Sequence, residues 1–215
     1  TKKTAGTSLE IALSKYCGDA DVISGLPEDD EQIRRDYGGR PPQNRQIPRC
    51  NYTLKEWVQF ITKGKKLICY NHMPARRIKR LVGKHIWETY YTFCFERNPW
   101  DKAISLYYWR TKNRNPRPSF SEFLRSPHAH KLSNYSLYSI YGRIALDRVY
   151  DYNELEQALL DIAEKTGLPV KLRLPRTKST HRKEKAHYSQ IMSDSDKNFI
   201  GKKCHHEIRA LHYQF

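Results

Sequence analysis

The spacing of apolar and polar positions predicts a chain in which helices and strands alternate. Apolar residues recur every three to four positions over residues 9–17, which indicates a helix that ends at Gly18. Apolar runs at 67–70, 90–96 and 145–152 have the length of strands, and the run at 90–96 is typical of a central strand in a parallel sheet. The alternation predicts an α/β fold with helices on both faces of a parallel sheet.

Capping signals mark the starts of further helices. Thr53 and Glu56 form a capping box, and Asn98 with Pro99 is typical of the first residues of a helix. The helix after Thr53 is expected to bury Leu54, Trp57, Val58 and Ile61. Further helices are predicted from Pro74 to a stop at Gly83, after Ser119, over residues 153–167 and over residues 195–212. Residues 19–50 have little periodicity and many Asp, Gly, Pro and Arg residues, so a long loop is predicted there.

Composition limits the class of protein. The 215 residues, 38% of them hydrophobic, fit a single domain spanning 1–215. No apolar run approaches the ~20 residues that span a bilayer. Five scattered cysteines without a C-x-x-C pair favour free thiols in a reducing compartment. We therefore expect a cytoplasmic protein, or a protein of the Golgi lumen if an N-terminal anchor has been removed.

The charge favours an anionic partner. A net charge of +16 suits a nucleotide, an acidic glycan, nucleic acid or a membrane surface, and charge alone does not choose among them. Most aromatic residues lie in apolar runs, where core packing explains them better than stacking on bases.

The first residues have the composition of a loop that binds a phosphate-like group. Lys3 is followed by small and hydroxyl residues and then by the first predicted helix, whose N-terminus offers backbone N–H groups and the positive end of its dipole. The alternative is a basic tail in front of a helix. Such loops usually follow a buried strand, and none precedes Thr1, so we expect upstream residues that include this strand.

The order of residues in this loop differs from that of a Walker A motif. There, Lys follows the second Gly and precedes the hydroxyl that binds Mg²⁺, whereas here Lys3 precedes Gly6. This order disfavours a kinase and suits transfer of a less charged group. A sulfuryl group carries one negative charge, where a terminal phosphoryl group carries about two.

A second anion-binding segment is predicted around residue 97. Arg97 stands at the carboxyl end of the strand at 90–96, where ligands of open α/β sheets bind. The helix that starts at Asn98 adds positive potential, and Ser105 lies about 10 Å further along its axis. The alternative is a capped helix in which Arg97 pairs with a carboxylate such as Asp101.

These two segments resemble a known family. Residues 3–8, Lys-Thr-Ala-Gly-Thr-Ser, are similar to the 5′-phosphosulfate-binding loop of sulfotransferases that use 3′-phosphoadenylyl sulfate (PAPS). Arg97-Asn98-Pro99, followed by Ser105, resembles their 3′-phosphate-binding segment. The chain is most similar to the carbohydrate-type group, which includes uronyl 2-O-sulfotransferases and bacterial relatives. Lys2 stands where that group usually has proline. The resemblance implies a P-loop-like, three-layer α/β/α fold with a central parallel sheet.

The resemblance also implies a role for each matched residue. Lys3 would bind the phosphosulfate and neutralise charge on the bridging oxygen as its bond to sulfur breaks. The residues implied to bind the nucleotide are Lys3, Thr4, Ala5, Gly6, Thr7, Ser8, Arg97 and Ser105. Lys178, Arg182 and Lys183 resemble the basic loop that closes over the nucleotide, and a solvated linker explains each of them equally well. The cofactor would be PAPS, released as adenosine 3′,5′-bisphosphate (PAP), with no metal required.

His72 is the expected catalytic base. It follows the predicted strand at 67–70 and precedes the helix at Pro74, and sulfuryl transfer needs a group that takes the proton of the attacking hydroxyl. In the resembling family a histidine of this region is the proposed base. The alternative is a histidine that caps or packs against the following helix. Glu56 is a weaker candidate, because the capping box already accounts for it.

The expected function is therefore transfer of a sulfuryl group from PAPS to a hydroxyl of a glycan or small metabolite. Alternatives are a P-loop kinase and a non-enzymatic basic module that binds nucleic acid or acidic glycan. Nucleic acid is not expected as a partner of the enzyme. Residues 19–50 and 110–143 are the expected acceptor-facing segments, with Arg40, Asn44, Arg45 and Arg110 as possible contacts.

Overall fold

The computed structural model describes residues 1–169, 172–175 and 187–215. The helices, in chain order, are α1 (Gly6–Ser14), α2 (Glu28–Asp36), α3 (Leu54–Lys63), α4 (Ala75–Thr89), α5 (Pro99–Arg110), α6 (Phe120–Arg125), α7 (Tyr135–Tyr138), α8 (Leu155–Thr166), α9 (Tyr188–Ile191), α10 (Asp194–Lys203) and α11 (His205–Leu211). The strands are β1 (Phe93–Glu96), β2 (Ser139–Ile140), β3 (Arg143–Ile144) and β4 (Arg148–Asp151). The fold is mixed α/β, as predicted, and mainly helical.

The described residues divide into two compact units. The first unit contains residues 1–6, 93–158 and 187–215. The second contains residues 7–92, 159–169 and 172–175. No helix in these described ranges is both long and apolar enough to cross a membrane.

The parallel sheet of the first unit confirms two of the predicted strands in shortened form. Strand β1 pairs in parallel with β4, and Phe95 lies opposite Tyr150 in the register. Their rings lie 5.5 Å apart between centroids, on a face where both side chains are buried. Among the described residues this sheet has two strands, and a layered architecture built on a larger sheet stays a prediction.

A hairpin that the periodicity did not predict follows α7. Strands β2 and β3 are two residues each and pair antiparallel across Tyr141 and Gly142. Both turn residues have positive φ, 52° and 75°, as in the two-residue turns that match the twist of a hairpin. Strands this short carry no readable alternation, which explains why the sequence pattern missed them.

The core of the first unit is built on α5. Ala103 and Ile104 of this helix are fully buried beside Ile200 of α10. The predicted caps are also present: Asn98 Oδ1 accepts from the backbone N–H of Trp100 at 3.1 Å, and Ser119 forms a capping box at the start of α6.

The predicted buried face of α3 is wrong. The capping box of Thr53 is present, but Leu54, Val58 and Ile61 are 88%, 59% and 75% exposed, and Trp57 is 37% exposed. Trp57 and Phe60 pack edge-on against Tyr52, with ring centroids 5.6 and 6.0 Å away. The apolar arc of the helix is wider than the surface that covers it, so only the Phe60 side of the arc is packed.

The long loop predicted over residues 19–50 is wrong as well, because it contains α2. The segment EDDEQIRRD has one apolar residue, so the spacing of apolar residues cannot indicate a helix there. Acidic residues fill its first turn and basic residues its last turn, in agreement with the helix dipole. Arg34 is fully buried and pairs with Glu31 and Glu10, each at 3.0 Å.

Three further boundaries differ from the predictions. Residues 67–70 form no strand but one bridge, Gln46 to Ile68, and the Leu67 N–H donates to the Tyr52 hydroxyl at 2.9 Å instead of continuing a ladder. Gly83, with φ 82° and ψ 171°, breaks the helix as predicted, but a second helical segment follows directly and continues α4 to Thr89. The last predicted helix is divided at Cys204 into α10 and α11.

Helix α8 begins two residues later than predicted. Asp151 accepts from the backbone N–H of Asn153 at 2.7 Å and so starts a short 3₁₀ turn in front of the helix. Gly167, with φ 67°, directly follows the last residue of the helix, as predicted.

All five cysteines are free thiols, and burial raises the pKa of Cys94 and Cys204 to about 12.

Candidate functional site

The predicted anion-binding loop is fastened to the end of β1. The hydroxyl of Thr1 donates to the backbone carbonyl of Phe95, the residue before the last of that strand. The buried hydroxyl of Thr4 lies 2.7 Å from the hydroxyl of Thr1. The loop therefore starts beside the strand that leads directly into Arg97.

Two residues of this loop have a left-handed backbone. Lys3 and Ala5 have positive φ, 63° and 55°, whereas Thr4 between them does not. Alternating right- and left-handed residues turn successive N–H groups toward one concave side, which binds anions in many phosphate sites. Helix α1 then begins at Gly6 without an acidic residue in its first turn, so no carboxylate of its own opposes an anion there.

A buried polar cluster lies under the loop. The Asn134 side chain accepts from the N–H of Lys2 at 3.2 Å and donates to the carbonyl of Lys2 at 3.1 Å. Lys102 Nζ lies 2.9 Å from Glu96 Oε1 and 3.9 Å from Glu207 Oε1. Burial, reinforced by the Glu96 and Glu207 carboxylates, raises the pKa of the neighbouring Tyr138 hydroxyl. The loop therefore contacts Asn134, which in turn contacts the buried charged side chains of this cluster.

The side chain of Lys3 is directed to an aromatic ring. Its Nζ lies 5.3 Å from the centroid of the Trp109 ring, and the Arg110 guanidinium lies 4.6 Å from the same ring. Arg110 also lines a groove of about 230 Å³, together with Arg114, His128 and Phe123 among others. The arrangement gathers cationic groups on one aromatic side chain next to the loop.

Arg97 occupies the predicted position at the carboxyl end of β1. Its Nε contacts Asp101 Oδ2 at 2.5 Å, so the pairing that the sequence offered as an alternative is present. Its guanidinium also lies 4.6 Å from the centroid of the Tyr152 ring. The two terminal nitrogens, Nη1 and Nη2, have no hydrogen-bond partner among the described residues. Arg97 can therefore keep its contact with Asp101 and still donate to an anion.

The structure groups most of the predicted nucleotide residues in the first unit. Lys3, Thr4, Ala5 and Gly6 share this unit with Arg97 and with the partly buried Ser105 of α5. Thr7, Ser8 and His72 belong to the second unit. Lys178, Arg182 and Lys183 lie outside the described residues.

His72 is an exposed residue with a left-handed backbone, φ 63°. The N-cap position of α4 is occupied by Pro74, and that helix start has no side-chain cap, so capping does not explain the histidine. Glu56, the weaker candidate base, forms the capping box with Thr53 and a 2.9 Å ion pair with Arg77. Burial raises the pKa of Glu56, but its hydrogen bonds to Thr53 and the Arg77 charge outweigh burial and lower it. A carboxylate held in this form is a poor proton acceptor.

Sequence reasoning missed the cluster under the loop. The sequence feature that could have indicated the cluster is Lys102, a lysine within the apolar pattern of α5. In the structure this side chain is 1% exposed. Charged residues at inward positions are buried only when they are paired. Among the described residues, no group of three or more His, Cys, Asp or Glu side chains is arranged to hold a metal ion.

Comparison with known proteins identifies an archaeal relative. An uncharacterized protein of Archaeoglobus fulgidus is 36% identical over 104 residues, which span 46% of this chain and 87% of the archaeal protein. The chain belongs to the family of this archaeal protein. No protein-family model matches the chain, and no solved structure matches it.

Proposed function

We propose that the chain is a sulfotransferase that moves a sulfuryl group from PAPS to a hydroxyl of a glycan or small metabolite. The observation that supports this most is the hydrogen bond from Thr1, at the start of the loop with left-handed Lys3 and Ala5, to the strand that leads into Arg97. The two segments that we propose to bind anions therefore belong, up to Gly6 of the first one, to one compact unit. A donor with one phosphosulfate and one separate phosphate needs two such segments.

The first segment holds the 5′-phosphosulfate. The backbone N–H groups from Thr4 to Ser8 and the hydroxyls of Thr7 and Ser8 donate to its oxygens, and Lys3 adds a full positive charge. In the second segment, the Nη nitrogens of Arg97 and the hydroxyl of Ser105 hold the 3′-phosphate. Arg97 suits this role because its planar fork recognises phosphate with two parallel hydrogen bonds.

The reaction is an in-line displacement at sulfur. The acceptor hydroxyl forms the new S–O bond while the bond from sulfur to the bridging oxygen breaks, and adenosine 3′,5′-bisphosphate leaves. His72 takes the proton of the hydroxyl. Lys3 stabilises the negative charge that develops on the bridging oxygen, so catalysis consists mainly of positioning and electrostatic stabilisation.

The finer architecture belongs to the same proposal. The parallel pair of β1 and β4 is the part of a three-layer, P-loop-like sheet that carries Arg97.

Thermal unfolding with two nucleotides tests the proposal. Adenosine 3′,5′-bisphosphate at 100 times its dissociation constant should stabilise the protein by about 2.7 kcal/mol, whereas ATP with Mg²⁺ should not. Stabilisation by ATP–Mg²⁺ alone would identify a kinase and overturn the proposal. A transfer assay with ³⁵S-labelled PAPS and a panel of sugars and phenols then identifies the acceptor.

A non-enzymatic basic module is the second candidate, and the net charge of +16 suits it as well as it suits an enzyme that acts on an anionic glycan. Such a module binds nucleic acid or heparin with an affinity that falls steeply with salt, because each contact releases counterions. It does not respond to adenosine 3′,5′-bisphosphate. Tight heparin binding without a bisphosphate response would therefore assign the chain to this class.

A further inference from the structure

One side chain holds the backbone of Lys2 at both its N–H and its carbonyl. Asn134 Oδ1 accepts from the Lys2 N–H at 3.2 Å, and Asn134 Nδ2 donates to the Lys2 carbonyl at 3.1 Å. A primary amide reproduces the hydrogen bonding of a neighbouring β-strand in this way, and it fixes both the position and the orientation of the backbone. Lys2 directly precedes Lys3, the cation of the proposed phosphosulfate site.

The loop needs such an anchor because its backbone is strained. Lys3 and Ala5 adopt left-handed φ values of 63° and 55° without being glycine. Each such residue costs on the order of 1 kcal/mol, and it persists only where the surroundings hold it. Asn134 holds the residue immediately before the first of the two.

Asn134 is itself fixed by the buried charges. It is fully buried, and its own backbone N–H donates to Glu207 Oε1 at 2.8 Å. Its Nδ2 also lies 3.3 Å from Glu96 Oε1, the atom that accepts from Lys102. Its amide therefore has little freedom to rotate away from Lys2, since both of its ends are engaged.

We propose that Asn134 is a positioning residue for the phosphosulfate loop, and that it holds Lys3 in its left-handed conformation through hydrogen bonds to the backbone N–H and carbonyl of Lys2. This role rests on the proposed function for its catalytic meaning. Asn134 does not touch the donor. It sets the direction of the Lys3 backbone, so that the N–H groups of the loop are arranged before the donor binds.

The loop itself provides a ligand-free test. Backbone ¹⁵N relaxation should give order parameters near 0.85 for residues 3–6 of the wild type and below about 0.6 for Asn134→Ala. Tyr138→Phe is the matched control, because it removes a buried hydroxyl that has no hydrogen-bond partner among the described residues and leaves the Lys2 contacts intact. Order parameters that stay high in Asn134→Ala would overturn the inference.

A functional readout separates positioning from general stability. Asn134→Ala should raise the dissociation constant of adenosine 3′,5′-bisphosphate and lower kcat/KM for PAPS by about tenfold or more, because small displacements of catalytic groups are costly. The KM of Asn134→Ala for the acceptor should stay unchanged. In Tyr138→Phe, the dissociation constant of the bisphosphate and kcat/KM for PAPS should both stay unchanged. Equal losses in the two variants would mean a merely structural role and would overturn the inference.

The outcomes for the inference and for the proposed function are distinguishable. If the wild type does not bind the bisphosphate, the sulfotransferase assignment fails, while a loop that loses order in Asn134→Ala still supports the anchor. If Asn134→Ala does not fold, Asn134→Ser replaces it, since its hydroxyl is too short to reach both polar atoms of Lys2. Order parameters for residues 3–6 that stay high in Asn134→Ser would overturn the inference, as they would in Asn134→Ala.

Discussion

Arg97 Nε lies 2.5 Å from the carboxylate of Asp101, one helical turn further along the chain. The guanidinium therefore has a fixed orientation at the end of β1, and the ring of Tyr152 supports it from one side. The contact with Asp101 uses Nε, and neither terminal nitrogen has a hydrogen-bond partner among the described residues. The pairing and the proposed phosphate role are thus compatible in one side chain.

Arg97→Ala should weaken binding of adenosine 3′,5′-bisphosphate by roughly 10- to 100-fold, the value of a charged hydrogen bond of about 1.5–3 kcal/mol. Isothermal titration calorimetry measures this. Arg148→Ala is the control, because Arg148 also lies over a tyrosine ring, Tyr150, but stands exposed on β4. Equal affinities of Arg97→Ala and Arg148→Ala would contradict the assignment.

Lys3→Ala should lower both the affinity for the bisphosphate and the turnover of PAPS. The turnover should fall further, by about 10²–10³, because the charge on the bridging oxygen is largest in the transition state. Steady-state kinetics with labelled PAPS measure both effects. The exposed Lys15, just after α1, provides the control Lys15→Ala, and a similar loss there would point to bulk charge.

His72→Ala should leave bisphosphate binding unchanged and lower kcat by about 10²–10⁴, the usual contribution of a general base. His85→Ala, an exposed histidine of α4, is expected to keep full activity. The pair is compared in the ³⁵S-transfer assay at saturating PAPS. A fully active His72→Ala enzyme would remove this residue from the mechanism.

Lys102→Met should destabilise the protein by about 3–5 kcal/mol, because it leaves the buried carboxylates of Glu96 and Glu207 without their cation. Each of these carboxylates already has one oxygen, Oε2, without a hydrogen-bond partner among the described residues. Urea unfolding measures the loss. Adding Glu96→Gln to Lys102→Met should recover part of it, and a loss below about 1 kcal/mol would contradict the account.

The capping box of α3 should make stability depend on pH. The pKa of Glu56 is lower in the folded chain than its ordinary value of 4.5, so its stabilising effect is complete above that value. The effect is lost as the pH falls through the folded pKa. The difference in unfolding free energy between wild type and Glu56→Gln should therefore be present at pH 6 and vanish in strong acid. It should be about 1 kcal/mol or less, since the pair is partly exposed.

The exposed Glu88 of α4, 4.0 Å from Lys84, provides the control for that measurement. Glu88→Gln should change the free energy of unfolding little at either pH, because an exposed pair at this distance contributes little. A difference for Glu56→Gln that grows in acid would contradict the sign of the pKa shift.

The sequence by itself determined the elements that depend on neighbouring residues. The caps at Asn98, Thr53 and Ser119, the inner face of α5 and the two parallel strands were all predictable, because caps and periodic faces are local in the chain. Only the tertiary structure decided which surfaces are covered. It left Leu54 and Ile61 of α3 exposed, and it stabilised α2 through the buried Arg34.

The same division holds for the candidate site. The Lys3 loop and Arg97 were readable as motifs, since anion binding uses short runs of backbone and charge. The contact that holds the loop was not, because Lys2 and Asn134 are 132 residues apart in the chain. Nothing in the sequence distinguishes Glu96, Lys102 and Glu207 from surface charges. Folding brings them together where all three are buried, and each charge there needs a partner of opposite sign.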